Sequence, residues 1–423
     1  MRFSGFDDEW VSYKIGDISK TYSGGTPSTS KREYYEGNIP FIKSGEIGNE
    51  VTEQYINEEA INNSSAKKVQ KGDLLLALYG ATSGEVAISK IDGAINQAVL
   101  KIDNKMNNYF QYNYFVKYKD QIIHKYLQGG QGNLSANIIK KLEFYYPNLE
   151  EQQKISNYLL LIDNKIELLE KKHHEYQNFK KYLMQQIFAQ KLRFADSDSC
   201  WKEISLKDIG TFYRGHSYNS TNVADEGLLV LRSNNIQGNV LDFSEDGLQF
   251  VDKDCKKELE LQKNDIVICM SNGTRRLVGK SAEYTGNYEN KVTVGAFCSI
   301  FRTKNKLAKY LFQTESYKKN LYLILAGTNI NNLKNSDLEK FKFNIPTNES
   351  EINKIHDLFV SIDNKIDYNK KQLEEITLFK KGLLQQMFVV RINWRCNFKL
   401  AKSPSFNKHL LILKNKIIFI IIK

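Results

Sequence analysis

A glycine-containing stretch in the second half of the chain has the composition of a loop that could hold phosphate groups. Residues 273–281 read GTRRLVGKS. A phosphate-binding loop of the P-loop kind has four residues between its two glycines, whereas five residues separate Gly273 from Gly279. This spacing argues against a nucleotide site. The adjacent Arg275 and Arg276 suit a different chemistry, namely contacts with DNA phosphates or with guanine edges.

No other arrangement of residues indicates catalysis. A methyltransferase acting on a base amino group needs a motif of the Asp/Asn-Pro-Pro-Tyr/Phe kind, and a nuclease of the PD-(D/E)xK class needs a Pro-Asp pair. Neither occurs, because all five prolines are isolated, at Pro27, Pro40, Pro147, Pro346 and Pro404. No catalytic triad is suggested either. The sequence predicts a chain that is not itself an enzyme.

Cysteine and histidine usage indicates no metal site. The five cysteines are odd in number and form no CxxC, so neither a zinc site nor a disulfide framework is expected. His173 and His174 are adjacent rather than one helical turn apart. The N-terminus lacks the apolar core of a signal peptide, and the apolar stretch 410–422 is too short to span a bilayer. We expect reduced thiols and a cytoplasmic location.

The net charge of +11 is unevenly distributed. Residues 391–423 contain eight Lys and Arg and no acidic residue, and without them the body of the chain is close to neutral, at +3. Bulk charge is therefore a weak argument for nucleic-acid binding. If the body binds DNA, local clusters such as Arg275-Arg276 or Lys67-Lys68 must supply the attraction.

The chain repeats one long phrase at an interval of 200 residues. IDNKI at 162–166 returns at 362–366, and FKKYLMQQIF at 179–188 returns as FKKGLLQQMF at 379–388. The segments before these phrases are much less alike. The sequence predicts two copies of one unit laid head to tail, with a shared scaffold and two differing modules.

Each repeated phrase has the apolar spacing of a coiled coil. Alternating steps of four and three residues, over more than four heptads without proline, predict two long helices that pair with each other. The predicted seam residues are Ile155, Leu159, Ile162, Ile166, Leu169, Leu183 and Ile187 in the first helix, and Ile355, Phe359, Ile362, Ile366, Leu373, Ile376, Leu383 and Met387 in the second.

Polar residues also fall on the seam and can fix its register, at His173, Lys180, Asn369 and Lys380. The alternative is an amphipathic pair that fills the core of a single domain. Charged residues such as Glu167 and Lys171 crowd the flanks and favour a solvated rod or a face that docks other proteins.

The module before each helix reads as a mixture of strands and helices. Short β-rich runs alternate with loops of Gly, Asn and Ser, whereas 107–127 and 307–326 read as helices. Two such modules on a rod tens of ångströms long could touch one face of a duplex about one turn apart, roughly 34 Å. The target would be two different short half-sites around an unread gap.

Loop side chains that could contact bases are the candidate site residues. Arg can clamp guanine, and Asn or Gln can clamp adenine. In the first module the candidates are Tyr22, Lys43, Ser44, Tyr79, Thr82, Ser83, Gln128, Gln131 and Asn133. In the second module they are Tyr213, Arg214, His216, Arg232, Asn234, Asn235, Asn272, Arg275, Arg276 and Asn329.

The sequence resembles the specificity subunit of type I restriction-modification enzymes over about residues 10–389. The resemblance is carried by PNLEEQQKI at 147–155, the IDNKI and FKK phrases, SGGTPS at 23–28 and the duplicated plan. It implies two target recognition domains that each read half of a split DNA site. It further implies that the paired helices space those domains and dock two methyltransferase subunits, with restriction subunits joining later. S-adenosylmethionine, ATP and Mg²⁺ would then be used by the partners and not by this chain.

The expected fold is therefore α+β, with two mixed α/β target recognition domains in a tandem pseudo-symmetric repeat, separated by two long helices that form an antiparallel coiled coil. The expected domains are 1–150 and 195–349 for recognition, 151–194 and 350–389 for the helices, and 390–423 for a basic, apolar tail. One alternative is a non-catalytic adaptor whose modules bind polypeptides. Another is a self-sufficient nucleotide-using enzyme, which ATP hydrolysis by the chain alone would reveal.

Overall fold

The computed structural model describes residues 2–127, 133–195, 200–327 and 331–388. The chain folds into two compact units. Of the described residues, unit 1 contains those in 2–171 and 370–388, and unit 2 contains those in 172–369. Each unit therefore holds one module together with one half of each long helix.

Unit 1 carries two four-stranded sheets and a strand pair. Its strands are β1 (Val11–Lys14), β2 (Ser19–Ser23), β3 (Ile39–Ile42), β4 (Tyr55–Ile56), β5 (Lys67–Val69), β6 (Leu74–Ala77), β7 (Val86–Ile88), β8 (Gly93–Ile95), β9 (Val99–Asn104) and β10 (Glu143–Tyr146). The sheets have the orders β2-β9-β6-β7 and β4-β3-β8-β5, and β1 pairs with β10. The one parallel contact among these pairs joins β3 to β8.

Unit 2 repeats this plan with its own strands. They are β11 (Trp201–Ser205), β12 (Gly210–Arg214), β13 (Val223–Ala224), β14 (Leu228–Leu231), β15 (Ile236–Gln237), β16 (Val240–Leu241), β17 (Phe250–Val251), β18 (Ile266–Cys269), β19 (Ser281–Glu283), β20 (Val292–Val294), β21 (Cys298–Thr303) and β22 (Lys342–Pro346). The orders β12-β21-β18-β19 and β13-β17-β14-β20 match those of unit 1 in the first sheet and in the parallel pair β14 and β20.

The helices are shorter in the modules and very long at their ends. They are α1 (Ile15–Ile18), α2 (Glu58–Asn62), α3 (Asn108–Leu127), α4 (Ala136–Lys141), α5 (Leu149–Phe188), α6 (Leu206–Ile209), α7 (Ala308–Leu311), α8 (Glu315–Ala326), α9 (Asn335–Leu338) and α10 (Glu349–Met387).

Two sequence predictions for helices need correction. The segment 307–326 is not one helix, because the Thr314 side chain accepts the N–H of Tyr317 (3.2 Å) and starts a new helix there. The segment 151–194 is helical only as far as Phe188. Gln190 adopts a φ of 57° and ends the helix, and its N–H donates to the carbonyl of Ile187 (2.9 Å).

The two long helices pack against each other in an antiparallel sense, as the heptad pattern predicted. In unit 1, Ile155, Leu159 and Ile162 of α5 share a core with Leu383 and Met387 of α10. In unit 2, Leu183 and Ile187 of α5 share a core with Ile355, Phe359 and Ile362 of α10. The start of each helix thus meets the end of the other. Every predicted seam position is buried or half-buried, whereas the charged flanking positions are mostly exposed.

A salt bridge and a tryptophan contact recur in both units. Arg2 forms two hydrogen bonds to the Glu151 carboxylate (2.7 Å each), and Arg193 does the same to Glu351 (3.3 and 3.1 Å). An aromatic contact recurs as well: Trp10 packs edge-on against Phe388, and Trp201 packs edge-on against Phe188. The structural repeat therefore extends to Arg2 and Arg193, which precede Trp10 and Trp201 in the chain.

Candidate nucleic-acid interface

In unit 1, five loops meet at one end of the two sheets. We call them loop cluster 1, which comprises residues 23–26, 43–46, 78–84, 95–98 and 133–134. The loops gather there because β2 and β6 both run antiparallel to β9, so the ends of β2 and β6 lie beside its start. The ends of the parallel strands β3 and β8 lie at that same end.

Backbone hydrogen bonds join these loops. The N–H of Leu78 donates to the carbonyl of Ala98 (2.8 Å), and the carbonyl of Leu78 accepts the N–H of Leu134 (2.8 Å). The N–H of Gly25 donates to Ile95 (3.3 Å). The residue after β6 therefore bonds to two other loops and the end of β8 bonds to a third, and all three bonds run between backbone atoms.

The SGGTPS loop is held by the absence of a side chain at Gly24. A Cβ built there would lie 1.8 Å from the carbonyl oxygen of Ile95, so only glycine allows this approach to β8. The motif that contributed to the family resemblance thus has a structural cause in this chain. It brings Tyr22, at the end of β2, next to loop cluster 1.

Most of the sequence-predicted residues of the first module lie in this cluster. Lys43, Ser44, Tyr79 and Thr82 are half-buried there, Asn133 is exposed, and burial raises the pKa of the Tyr79 phenol. The Ser83 hydroxyl donates to the carbonyl of Leu78 (2.9 Å) and so shapes the loop itself. Gln128 and Gln131 lie outside the described residues.

Unit 2 has the same arrangement, which we call loop cluster 2: residues 214–217, 231–235, 270–279, 294–298 and 331–333. The N–H of Met270 donates to Phe297 (2.8 Å), and the carbonyl of Met270 accepts the N–H of Leu333 (2.8 Å). The N–H of His216 donates to Val294 (2.7 Å), in the place that Gly25 takes in unit 1. These three backbone bonds therefore recur in both clusters.

The frames differ in one connection. Residues 78–85 join β6 to β7, whereas the longer stretch 270–280 joins β18 to β19 and contains Arg275 and Arg276. Both connections close on a glycine with positive φ, at Gly84 (82°) and Gly279 (83°). A Cβ on Gly279 would lie 2.4 Å from Leu321 Cδ1. This glycine is therefore required for packing and is not part of a phosphate cradle, and a strand rather than a helix follows it.

Some predicted residues of the second module hold loops together. Asn235 is buried, accepts the N–H of Arg232 (2.8 Å) and donates to the carbonyl of Gly247 (3.1 Å). Asn272 donates to the Ser233 hydroxyl (3.0 Å) and accepts the N–H of Thr274 (2.9 Å). These amides are occupied within the protein, so a base contact by Asn235 would need this loop to rearrange.

His216 is also buried, and this burial and the nearby Lys253 lower the pKa of its imidazole. Its Nε2 atom has no hydrogen-bond partner within the described part of the chain. A neutral, enclosed imidazole is not a surface cation. The sequence could not distinguish it from the exposed Arg214 two residues earlier, because both follow the same strand.

The remaining candidates of the second module form a basic surface. Arg214, Asn234, Arg275 and Arg276 are exposed, and Arg232 and Tyr213 are half-buried. Loop cluster 2 contains four arginines and no acidic residue, whereas loop cluster 1 contains only Lys43 and Glu46 as charged residues. The second cluster therefore offers a strongly cationic surface to an anionic partner and the first does not. Asn329 lies outside the described residues.

Each module is tied to the helices by a tyrosine, a carboxylate and a lysine, and the tyrosine is half-buried in unit 1 and buried in unit 2. Ion-pair cluster 1 contains Tyr109, Asp163 and Lys380, with 2.5 Å between Lys380 Nζ and Asp163 Oδ1 and with the Tyr109 hydroxyl donating to the same carboxylate. Burial and the Asp163 carboxylate raise the pKa of the Tyr109 phenol. The aspartate comes from the IDNKI phrase and the lysine from the FKK phrase of the other helix.

Ion-pair cluster 2 repeats this geometry with Tyr310, Asp363 and Lys180. Lys180 Nζ lies 2.7 Å from Asp363 Oδ1, and the Tyr310 hydroxyl donates to Asp363 Oδ2 (3.0 Å). The polar seam residues Lys180 and Lys380 therefore have partners that the heptad pattern could not reveal. These contacts fix both the register of the two helices and the position of each module on the helices.

Within the described residues, no group of three or more His, Cys, Asp or Glu side chains is placed to hold a metal ion. None of the helices in that part of the chain combines the length and apolar character needed to span a bilayer.

The family model described as the type I restriction modification DNA specificity domain matches this sequence twice, at residues 7–177 and 198–378. The chain belongs to this family. Its two copies match the two structural repeats, each with a module and part of a long helix. The family resemblance drawn from the motifs is thereby confirmed, as are the tandem two-domain fold and the type I DNA-specificity role.

Two archaeal relatives cover nearly the whole chain. The type I restriction enzyme MjaVIII specificity subunit of Methanocaldococcus jannaschii is 23% identical over 411 residues, which cover 91% of this chain and 93% of that protein. The MjaIX specificity subunit of the same organism is 26% identical over 405 residues, with 90% and 92% covered.

A solved structure is similar in fold. The crystal structure of the type I restriction-modification system S subunit from M. genitalium aligns with a TM-score of 0.61 at 17% identity, covering 91% of this chain and 97% of that one. At this identity the similarity shows the shared fold alone.

Proposed function

We propose that this chain selects the DNA target of a type I restriction-modification complex and that each module reads one half of a split double-stranded site. The observation that carries this proposal is the pair of loop clusters. They share one backbone frame but differ in side chains, in charge and in the length of one loop. Two copies of one frame with different surfaces suit two different short sequences, because base edges are read by side chains.

The long helices are proposed to set the gap between the half-sites. Helix α5 contains 40 residues and α10 contains 39, and a helix of 40 residues is roughly 60 Å long. Each helix contributes to both units, and each module is fastened to it by an ion-pair cluster. Residues 151–194 and 350–389 are accordingly proposed as spacer domains, and 1–150 and 195–349 as recognition domains.

Two methyltransferase subunits are the proposed protein partners. The helices repeat a surface at an interval of 200 residues, because Leu160, Asn164 and Leu168 of α5 correspond to Val360, Asn364 and Tyr368 of α10, which are all exposed except the half-buried Val360. Leu168 and Tyr368 are large and exposed. A surface that occurs twice suits two copies of one partner. Restriction subunits would join the assembled complex.

The chemistry is proposed to reside in those partners. On this proposal S-adenosylmethionine, ATP and Mg²⁺ are bound by the methyltransferase and restriction subunits, this chain binds no cofactor, and the complex works in the cytoplasm of a prokaryote. The chain therefore contributes sequence recognition and geometry rather than a catalytic group.

The test is to express the chain with its methyltransferase subunit in a host that lacks other modification systems and to sequence the methylated bases. We expect one split motif. Arg214→Ala should relax one half of it, whereas Lys371→Ala, on an exposed position of α10, should leave both halves intact. A single unsplit motif would overturn the proposal. Equal gel-shift affinity for all DNA sequences at moderate salt would favour the adaptor alternative instead.

A further inference from the structure

We infer that Phe297 determines specificity in the second module by an apolar contact with the 5-methyl group of a thymine. This inference rests on the proposed DNA-reading function. Phe297 lies at the tip of the turn between β20 and β21, and its side chain is 71% exposed. No sequence pattern singled it out, because VTVGAFCSIF reads as one apolar strand.

The turn that carries Phe297 is firmly held. Its carbonyl accepts the N–H groups of Met270 (2.8 Å) and Ser271 (3.2 Å), and the N–H of Cys298 donates to Gly295 (2.8 Å). The ring therefore projects from a fixed backbone at the centre of loop cluster 2. Aromatic side chains held in this way contact a partner at a low cost in conformational entropy.

The ring is not needed to build the turn. In unit 1 the residue that makes the corresponding hydrogen bond to Leu78 is Ala98, which is only 5% exposed. The same frame thus forms without an aromatic residue. Burial in the core does not explain the ring either, because most of its surface faces solvent. The Phe297 ring is therefore one of the side chains that differ between loop clusters 1 and 2. These differing side chains are the ones proposed to read DNA.

The neighbouring side chains indicate which part of DNA the ring would meet. The other loops of loop cluster 2 carry Arg214, Arg232, Asn234 and Arg276, whose donors match phosphates and the nitrogen and oxygen atoms of base edges. The apolar group that a base edge presents in the major groove is the thymine methyl. The apolar Phe297 ring, placed among these donors, therefore matches the thymine methyl group.

The experiment uses the full chain in complex with its methyltransferase subunit, after methylated-base sequencing has given the bipartite site. Duplexes of that site carry deoxyuridine in place of one thymine at a time. We expect wild-type affinity to fall roughly fourfold at one position in one half-site, because burying one methyl group is worth about 0.8 kcal/mol. Phe297→Ala should bind the natural duplex about tenfold more weakly and should not respond to deoxyuridine there.

Two further variants control for general effects. Tyr322→Ala removes another exposed ring from unit 2, at 74% exposure on α8, and should behave as wild type. Phe297→Leu keeps an apolar side chain and should retain most of the deoxyuridine response, which also covers the case in which Phe297→Ala unfolds. If wild type prefers the site over scrambled DNA but no thymine shows a response that depends on Phe297, this inference is overturned. If wild type shows no preference, the proposed function fails instead.

Discussion

Replacement of Asp363 by alanine tests whether the ion-pair clusters hold the modules on the helices. Asp363 accepts a hydrogen bond from the buried Tyr310 and pairs with Lys180 of the other helix. The variant would leave the Lys180 ammonium half-buried without its counter-charge and the Tyr310 hydroxyl without its acceptor. Both losses act at the contact between helix and module within unit 2.

The size of the effect follows from burial. Removing one member of a buried ion pair costs roughly 3–5 kcal/mol, because the other charge is left unpaired. The side chains of Lys180 and Asp363 retain 16% and 29% exposure, so solvent reduces this cost to about 2 kcal/mol. The lost hydrogen bond to a charged acceptor adds roughly 1.5 kcal/mol. We expect Asp363→Ala to lower the free energy of unfolding by about 3–4 kcal/mol.

Urea unfolding of the full chain, followed by circular dichroism, measures this difference. Asp357→Ala is the matched control, because Asp357 is exposed on the same helix and should cost no more than about 0.5 kcal/mol. Lys180→Met combined with Asp363→Ala should cost less than the sum of the two single changes by about 1–3 kcal/mol. Equal stabilities of Asp363→Ala and Asp357→Ala, or full additivity in the double variant, would refute the argument.

Three further predictions concern the loop clusters and the end of α10. Gly279→Ala should weaken recognition of one half-site and lower stability by about 1–3 kcal/mol, because a Cβ would strike Leu321 at positive φ. In the same loop, the Cβ added by Gly273→Ala would lie in open space, so this variant should change neither recognition nor stability. Methylated-base sequencing and thermal unfolding check the two effects. Lys117 of α3 donates to the carbonyl of Phe388, the residue after α10, and burial lowers the pKa of this lysine to about 8 from an ordinary 10.5. Between these two pKa values the unfolded chain binds one more proton than the folded chain, so stability rises with pH. Compared with Lys117→Met, the wild-type chain should gain about 1–2 kcal/mol of unfolding free energy between pH 7.5 and pH 10 in urea titrations, after allowance for the half-exposure of this lysine. A stability difference that stays constant with pH would contradict the lowered pKa. Arg276→Ala should reduce the slope of log affinity against log salt by about 1, whereas an unchanged slope would show that its guanidinium does not meet a phosphate.

The sequence predicted the helix pair well because its signal is local and repeated. The heptad steps from Ile155 and Ile355 depend only on spacing along one chain segment, and the seam residues lie where that spacing placed them. The partners of Lys180 and Lys380 were not predictable in this way. Each lysine meets an aspartate from the opposite helix and a tyrosine from a module, and spacing along one helix carries no information about either.

The start of the repeat was missed for a similar reason. Arg2 and Arg193 form equivalent bonds to Glu151 and Glu351, yet they are 191 residues apart instead of 200, because the modules differ in length. A search at one fixed interval therefore misses them. Side-chain exposure in the loops was equally hidden. Asn235 and Asn234 are neighbours of the same type, but only the first is buried in the turn that it shapes.

The two loop clusters show why one fold can carry two different surfaces. The bonds that join the loops run between backbone atoms, as from Leu134 to Leu78 and from Leu333 to Met270, so outside the required glycines they do not call for particular side chains. A change of length is tolerated where both ends of a loop are independently fixed. This holds between Met270, bonded to Phe297 and to Leu333, and Gly279, packed on α8. The second cluster carries its longer, arginine-containing connection between these two points. Divergence of the loops therefore leaves the frame and the helices intact, so changes in the surface proposed to read DNA need not disturb the parts that position it.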